Sequence, residues 1–228
     1  MSGHRNETFE WESEIGTASE TNSLLSTGID VLDRKLGGGI PRGKVIALSA
    51  LPASQSELLL YKMSAVRETV YLTTERRETA VETSLRHNEP SIAEIEIHRL
   101  PADKPFEEGR NALEGLSEQS MIVIDPTNPL EQQDPHEYRA FSNDVKAHVT
   151  EHESLALLHC LAGEQVPAQR DRTEYLADII FSLNTTLRGD SIENTLSIPK
   201  FRGGRALPEA IDLDLTADVT IDVSRKIA

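Results

Sequence analysis

The sequence predicts an α/β fold: a mostly parallel central sheet flanked by helices, continued by an antiparallel C-terminal extension. Three observations carry that prediction. From Leu24 to about Thr173, short apolar and β-branched runs alternate with helical patterns, the rhythm that builds parallel sheets through crossover helices. After Thr173, strand-like runs follow one another with only turn signals between them, such as Arg188-Gly189-Asp190 and Gly203-Gly204, as in hairpin-connected strands. The length of 228 residues suits one such domain with a single core.

In chain order, residues 1–23 are polar, acidic and without sustained periodicity, so a flexible tail is expected there, with Phe9 and Trp11 as its aromatic exceptions. The folded domain is expected over 24–228. "LGGG" at 36–39 reads as a turn. The expected parallel strands are KVIALSA (44–50), TVYLTT (69–74), EIEIHRL (94–100), MIVIDP (121–126) and SLALLHC (154–160). Between them SELLLYKMSAVR, ETAVETSLRH, FEEGRNALEGLSE and PHEYRAFSNDVKAHVTEHE place apolar residues at three- and four-residue spacing, the stripe of a helix that packs on a sheet. The antiparallel strands are expected in DIIFSLNTTL, ENTLSIPKF, AIDLDLT and DVTIDVS.

Composition excludes several function classes. A net charge of −15, from 38 acidic and 23 basic residues, disfavours a general electrostatic footprint for nucleic acid. The carboxylates are spread along the whole length, which fits an acidic, salt-adapted surface. No apolar run approaches the roughly 20 residues of a membrane span, and the N-terminus lacks a secretory apolar region, so a cytoplasmic protein without membrane contact is expected. The lone Cys160, inside SLALLHCLAG, excludes an internal disulfide framework and is expected in the core.

The segment STGIDVLDRKLGGGIPRGKVIALSA, Ser26 to Ala50, closely resembles the approach to the RecA-type core of KaiC-like and archaeal recombinase-like ATPases. There a Thr-Gly, an apolar-Asp pair and a Gly-Gly-Gly-apolar-Pro-Arg-Gly run precede the first strand and its Walker A loop. The resemblance implies a RecA-like P-loop fold. Further segments follow in the same order. VYLTTE is similar to a second strand ending in a catalytic glutamate, at Glu75; MIVIDPTN to a Walker B strand ending at Asp125; and LADIIFSLNTTLRGDSIENTLSIPKFRGG to a late hairpin whose Lys200 and Arg202 match a pair that reaches a neighbouring subunit's phosphates.

The departure lies in the phosphate loop. Walker A requires Gly-x4-Gly-Lys-Ser/Thr: glycines so the backbone can turn tightly against phosphate, lysine for its charge, and a hydroxyl for magnesium. This chain has Ala50, Gln55, Ser56 and Glu57 at those four positions. Lys44 lies about 20 Å away at the far end of the strand, and Lys62 is about 7.5 Å further along the helix than Glu57. A carboxylate about 4 Å from a phosphate charge costs on the order of 4 kcal/mol at an effective dielectric of 20. That removes roughly a factor of 1,000 in affinity.

Without a phosphate loop, Glu75 and Asp125 are expected to be inherited positions with no catalytic role. Asp125 could otherwise cap the next segment, and Glu75 could pair with Arg76 or Arg77. Lys200 and Arg202 read equally as an inter-subunit finger pair or as edge-strand charges that discourage aggregation. HVTEH, His148 to His152, has the spacing of one metalloprotease class but reads as a polar helix face, and no metal is expected. No Gly-x-Ser-x-Gly elbow is present.

The expected function is therefore that of a non-hydrolysing RecA/KaiC-like pseudo-ATPase, a regulatory or assembly subunit that binds another protein, for which a KaiC-like or RecA-like paralogue is one candidate, with homo-oligomers also open. No cofactor is expected. One alternative is an ATP-binding protein using Mg-ATP at an unorthodox or inter-subunit site. Another is a DNA recombination accessory protein, which the charge disfavours.

Overall fold

The computed structural model describes residues 24–204, 207–216 and 218–221. The tail with Phe9 and Trp11, and the end of the last expected strand, lie outside the described residues.

From Leu24 the chain runs β1 (Leu24–Leu25), α1 (Asp30–Lys35), β2 (Ile40–Pro41), β3 (Lys44–Ala50), α2 (Glu57–Ala65), β4 (Thr69–Thr73), α3 (Glu78–Asn88), β5 (Ile95–Arg99) and α4 (Pro105–Leu113). It continues through β6 (Met121–Asp125), α5 (Asn128–Glu131), α6 (Pro135–Glu151), β7 (Leu155–Leu161), α7 (Arg170–Leu176), β8 (Ile179–Arg188), β9 (Ser191–Phe201), β10 (Ile211–Leu215) and β11 (Val219–Ile221). Each strand expected from an apolar run is present within a few residues. The elements that periodicity did not reveal, β1, β2, α1, α5 and α7, are too short to complete a pattern of their own. The change of rhythm also comes later than expected: α7 runs through Thr173, the DIIFSLNTTL run forms β8, which still pairs parallel with β3, and the antiparallel part begins only with β9 at Ser191.

One sheet orders its nine strands β11-β10-β9-β8-β3-β7-β6-β4-β5. The six strands from β8 to β5 are mutually parallel, and β9, β10 and β11 continue antiparallel from β8. Strand side chains alternate between faces, so two cores form. On one face Ile46, Leu48, Tyr71, Val123 and Leu157 pack with α1, α2 and α3. On the other, Val45, Val70, Ile124 and Leu158 pack with α4, α5, α6 and part of α7. Fully burying a leucine such as Leu59 or Leu60 contributes about 1.5–3 kcal/mol.

Helix starts follow their chemistry. Pro105 and Pro135 occupy first-turn positions where a missing N–H costs nothing. Asp134 caps α6 by accepting from the His136 and Glu137 N–H groups. No helix among the described residues is long and apolar enough to cross a membrane.

The segment before β3 is built by close packing. Asp33 accepts from the Thr27 N–H at 2.8 Å, the Thr27 hydroxyl at 2.7 Å and the Ser26 hydroxyl at 2.6 Å. Gly28, at φ 74°, lies against α2, where a Cβ would stand 2.5 Å from the Lys62 carbonyl oxygen. Gly39, at φ 134°, would place one 2.3 Å from the Leu25 carbonyl oxygen. These contacts seat β1 and β2 and clamp α2 beside β3.

Candidate functional site

The C-terminal ends of β3, β4, β6 and β7 form the rim where parallel α/β sheets place their chemistry. Three polar residues of this rim share one face through strand parity. Tyr71 in β4, Asp125 in β6 and His159 in β7 all lie on the α2 side, Tyr71 within that core and Asp125 and His159 in step with Val123 and Leu157 two positions before them. Opposite them, the loop after β3 delivers Ser56 to the start of α2.

A buried relay results. The Ser56 hydroxyl lies 3.0 Å from His159 Nε2, and His159 Nδ1 lies 2.7 Å from Asp125 Oδ1. Ser56, His159 and Asp125 are 2%, 3% and 4% exposed. Ser56 is the residue before α2, where a serine ordinarily caps the helix, yet its side chain makes no cap bond. Its hydroxyl is committed to the histidine. In the neutral ring, Nδ1 donates to the Asp125 carboxylate and Nε2 accepts from Ser56.

Arg76, just beyond β4, closes the site from above. Its Nη2 donates to Asp125 Oδ2 at 3.1 Å and to the Tyr61 hydroxyl at 3.0 Å, and its Nη1 donates to Glu57 Oε2 at 3.2 Å. The Tyr61 hydroxyl donates to the same Glu57 oxygen at 3.1 Å, and the Tyr71 hydroxyl donates to Asp125 Oδ2. Burial would raise the Asp125 carboxyl, but the bond and charge of His159, with Tyr71 and Arg76, hold it below its usual range. Burial pushes the Tyr61 hydroxyl up to about 12 and raises Tyr71 strongly. Burial disfavours the Arg76 charge, but Tyr71, Tyr61 and Asp125 more than offset this and raise its pKa. The site is thus an arginine held between two carboxylates and two neutral phenols.

The four positions laid on the phosphate-loop pattern are distributed as follows. Ala50 ends β3 and is buried, Gln55 is exposed, Ser56 is in the relay, and Glu57 faces Arg76 with its side chain 44% exposed. Between them the loop makes a tight turn, with both the N–H and the hydroxyl of Ser54 donating to the Leu51 carbonyl. Asp125 does not cap the following segment but anchors Arg76 and His159. Glu75 is exposed and makes no hydrogen bond or ion pair among the described residues, and Arg76 turns to Glu57 and Asp125 instead.

Lys200 and Arg202 lie away from this rim, near the beginning of β8. Lys200 Nζ donates to the Glu174 and Tyr175 carbonyl oxygens, and Arg202 Nη2 to the Tyr175 oxygen at 3.2 Å, at the C-terminal turn of α7. Cations belong at such an end, where free carbonyls carry partial negative charge. Lys62 pairs with Glu89 and Asp218, both at 2.8 Å. His148 and His152 stack with ring centroids 4.1 Å apart, and among the described residues no group of three His, Cys, Asp or Glu gathers that could hold a metal. Cys160 is fully buried, and burial pushes its thiol up to about 12.

Sequence reading missed His159, Tyr71 and Arg76 as members of one site. The available signal was the single basic side chain in the otherwise apolar β7 run, in parity with Asp125.

A family model described as a family of unknown function (DUF7125) matches residues 24–228. None of the curated proteins matches. Among solved structures, the fold is similar to that of the KaiC-like protein PH0186 from the hyperthermophilic archaeon Pyrococcus horikoshii OT3. That match has a TM-score of 0.69 at 14% identity and covers 87% of this chain and 98% of that one. The likeness is one of fold.

Proposed function

This chain belongs to the DUF7125 family, a family of unknown function, and from its own residues we propose that it is a RecA/KaiC-like pseudo-ATPase. On this reading its phosphate loop is degenerate, it does not hydrolyse nucleotide, and it acts as a regulatory or assembly subunit by binding another protein, with a KaiC-like or RecA-like paralogue as a candidate.

The observation that supports the reading is Arg76. Where a Walker A loop would present a lysine to a phosphate, Ser56 is tied to His159, and the neighbouring Glu57 and Asp125 already share an internal cation. Glu57 is paired, so simple repulsion of phosphate is weaker than a bare carboxylate would give. Occupancy is the stronger objection: an incoming phosphate must displace a guanidinium that five hydrogen bonds hold. Calorimetric titration with magnesium-ATP, in high potassium chloride, tests this. No heat of binding is expected, and micromolar binding with turnover that depends on the loop would overturn it.

A second reading, a serine hydrolase, is favoured by the order Ser56, Asp125, His159 and by the relay distances. It is opposed by the burial of Ser56 and by the commitment of Asp125 to Arg76. Covalent labelling of Ser56 by a fluorophosphonate would select it over the first.

A further inference from the structure

On the far side of the molecule from the rim, α6, α7 and the end of β9 enclose a groove of about 720 Å³. Four of its eight lining residues are cations, Arg139, Lys146, Arg172 and Arg202, and none is a carboxylate. That is a local inversion in a chain with 38 acidic and 23 basic residues. Lys146 is paired with the buried Asp178, and Arg172 spends one N–H on the Pro135 carbonyl. Arg139 is exposed and makes no hydrogen bond or ion pair among the described residues. Beside these cations stands Tyr175, 78% exposed, with Lys200 Nζ and Arg202 Cζ about 6 Å from its ring centroid, at 5.9 and 6.0 Å. Carboxylates do stand nearby: that of Glu174 acts on Lys200, and Asp178 acts on both Lys200 and Arg202. The groove calls for a ligand with several carboxylates and an aromatic surface.

The chain carries such a ligand. ETFEWESE, Glu7 to Glu14, has four carboxylates, with Phe9 and Trp11 at alternate positions among them. An extended backbone puts alternate residues on opposite sides, so the segment could present the Glu10, Glu12 and Glu14 acids on one side and both aromatic rings on the other. The geometry of attachment also fits. Leu24 pairs with Pro41 in β1 and β2, and two residues further on the Gly43 carbonyl accepts from Lys146 Nζ at 2.9 Å, which is itself a wall of the groove. Lys146 to Arg139 is about 10 Å along α6. Nine residues lie between Glu14 and Leu24, and the ten steps between the two span up to about 35 Å.

We propose that this groove binds the chain's own Glu7–Glu14 segment, its cations taking the carboxylates and Tyr175 taking an aromatic side chain.

Trp11 is the only tryptophan, so its fluorescence in the full-length protein reports on the segment alone. The wild type is compared with the Arg139→Glu, Arg172→Glu double variant, both sites being exposed and far from the core, with circular dichroism to show that the fold is kept. The expected result is blue-shifted emission and several-fold protection from acrylamide quenching in the wild type, both lost in the variant. Salt at about 1 M, which shortens the screening length to about 3 Å, should move the wild type in the same direction. Emission equal to that of the urea-unfolded chain, or a blue shift that survives the charge reversal, would overturn the proposal. A blue shift lost on dilution of the wild type would also overturn it, because the groove of a second copy would then be the acceptor.

Discussion

Arg76 Nη2 stands 3.1 Å from Asp125 Oδ2 at the C-terminal rim of the sheet, and the same guanidinium reaches Glu57 at the first turn of α2. Asp125 is nearly inaccessible, whereas Arg76 keeps a side-chain exposure of 27%. Removing the arginine would leave a buried carboxylate with only Tyr71 and His159. Arg76→Met should therefore destabilise the fold by about 1.5–3 kcal/mol, the usual worth of a hydrogen bond to a charged group. Urea denaturation checks this as a lower midpoint with an unchanged slope. The variant should still fail to bind magnesium-ATP, since vacating the site supplies no lysine.

Acid should weaken the same network, and the sign follows from Asp125. Its folded pKa is lowered from 3.8, so the unfolded chain takes up the proton first. The stabilisation is fully present above the unfolded value and is lost as pH falls through the lowered folded value. Asp125→Asn should cost stability at neutral pH and flatten the acid limb below about pH 4. Wild type and variant are compared by urea midpoint across pH; identical acid limbs would contradict the role given to Asp125.

The relay should be chemically silent. Ser56 is buried and its hydroxyl is tied to His159, so a fluorophosphonate should leave the native protein unlabelled at Ser56, as judged by peptide mass spectrometry. For the same reason a Ser56→Lys, Glu57→Thr graft should not create a nucleotide site. A lysine at 56 would enter a space 3.0 Å from an imidazole nitrogen and cost a buried hydrogen bond. Calorimetry on the graft, with a thermal melt beside it, should show lost stability and no binding.

Glu131 and Arg170 offer an independent test on the other face. Arg170 Nη2 lies 2.8 Å from Glu131 Oε2, with side chains 5% and 0% exposed, and Thr173 also donates to Glu131. Glu131→Ala would strand a buried guanidinium and should cost about 3–5 kcal/mol. The measurement is the shift of the denaturation midpoint relative to wild type.

Cys160, the only cysteine, should be inert to a disulfide reagent at pH 8 in the native state and react once per chain in denaturant. Its thiol is pushed up to about 12 by burial, so almost no thiolate exists for attack.

What the sequence determined by itself is the frame. Period and composition alone located KVIALSA, MIVIDP and SLALLHC as strands, because a strand buried on both faces must be apolar throughout. The turn-separated runs after Thr173 likewise announced the antiparallel extension. The segment from Ser26 to Ala50 was legible for a related reason. Gly28 and Gly39 stand where a Cβ would meet backbone, so the packing of that region is written in residue identity.

Tertiary structure alone decided the site. Ser56, Tyr71, Arg76, Asp125 and His159 come from four separate strand-to-loop segments, and no spacing in one dimension encodes their meeting. His159 is 103 residues from Ser56 in sequence and 3.0 Å from it in space. Arg76 read equally well as a surface partner for Glu75, since neighbouring charges in a sequence always permit that pairing. The fold chose Asp125 because a carboxylate buried by the sheet gains more from a cation than an exposed one does, and the half-exposed Glu57 stands within reach of the same guanidinium from the first turn of α2.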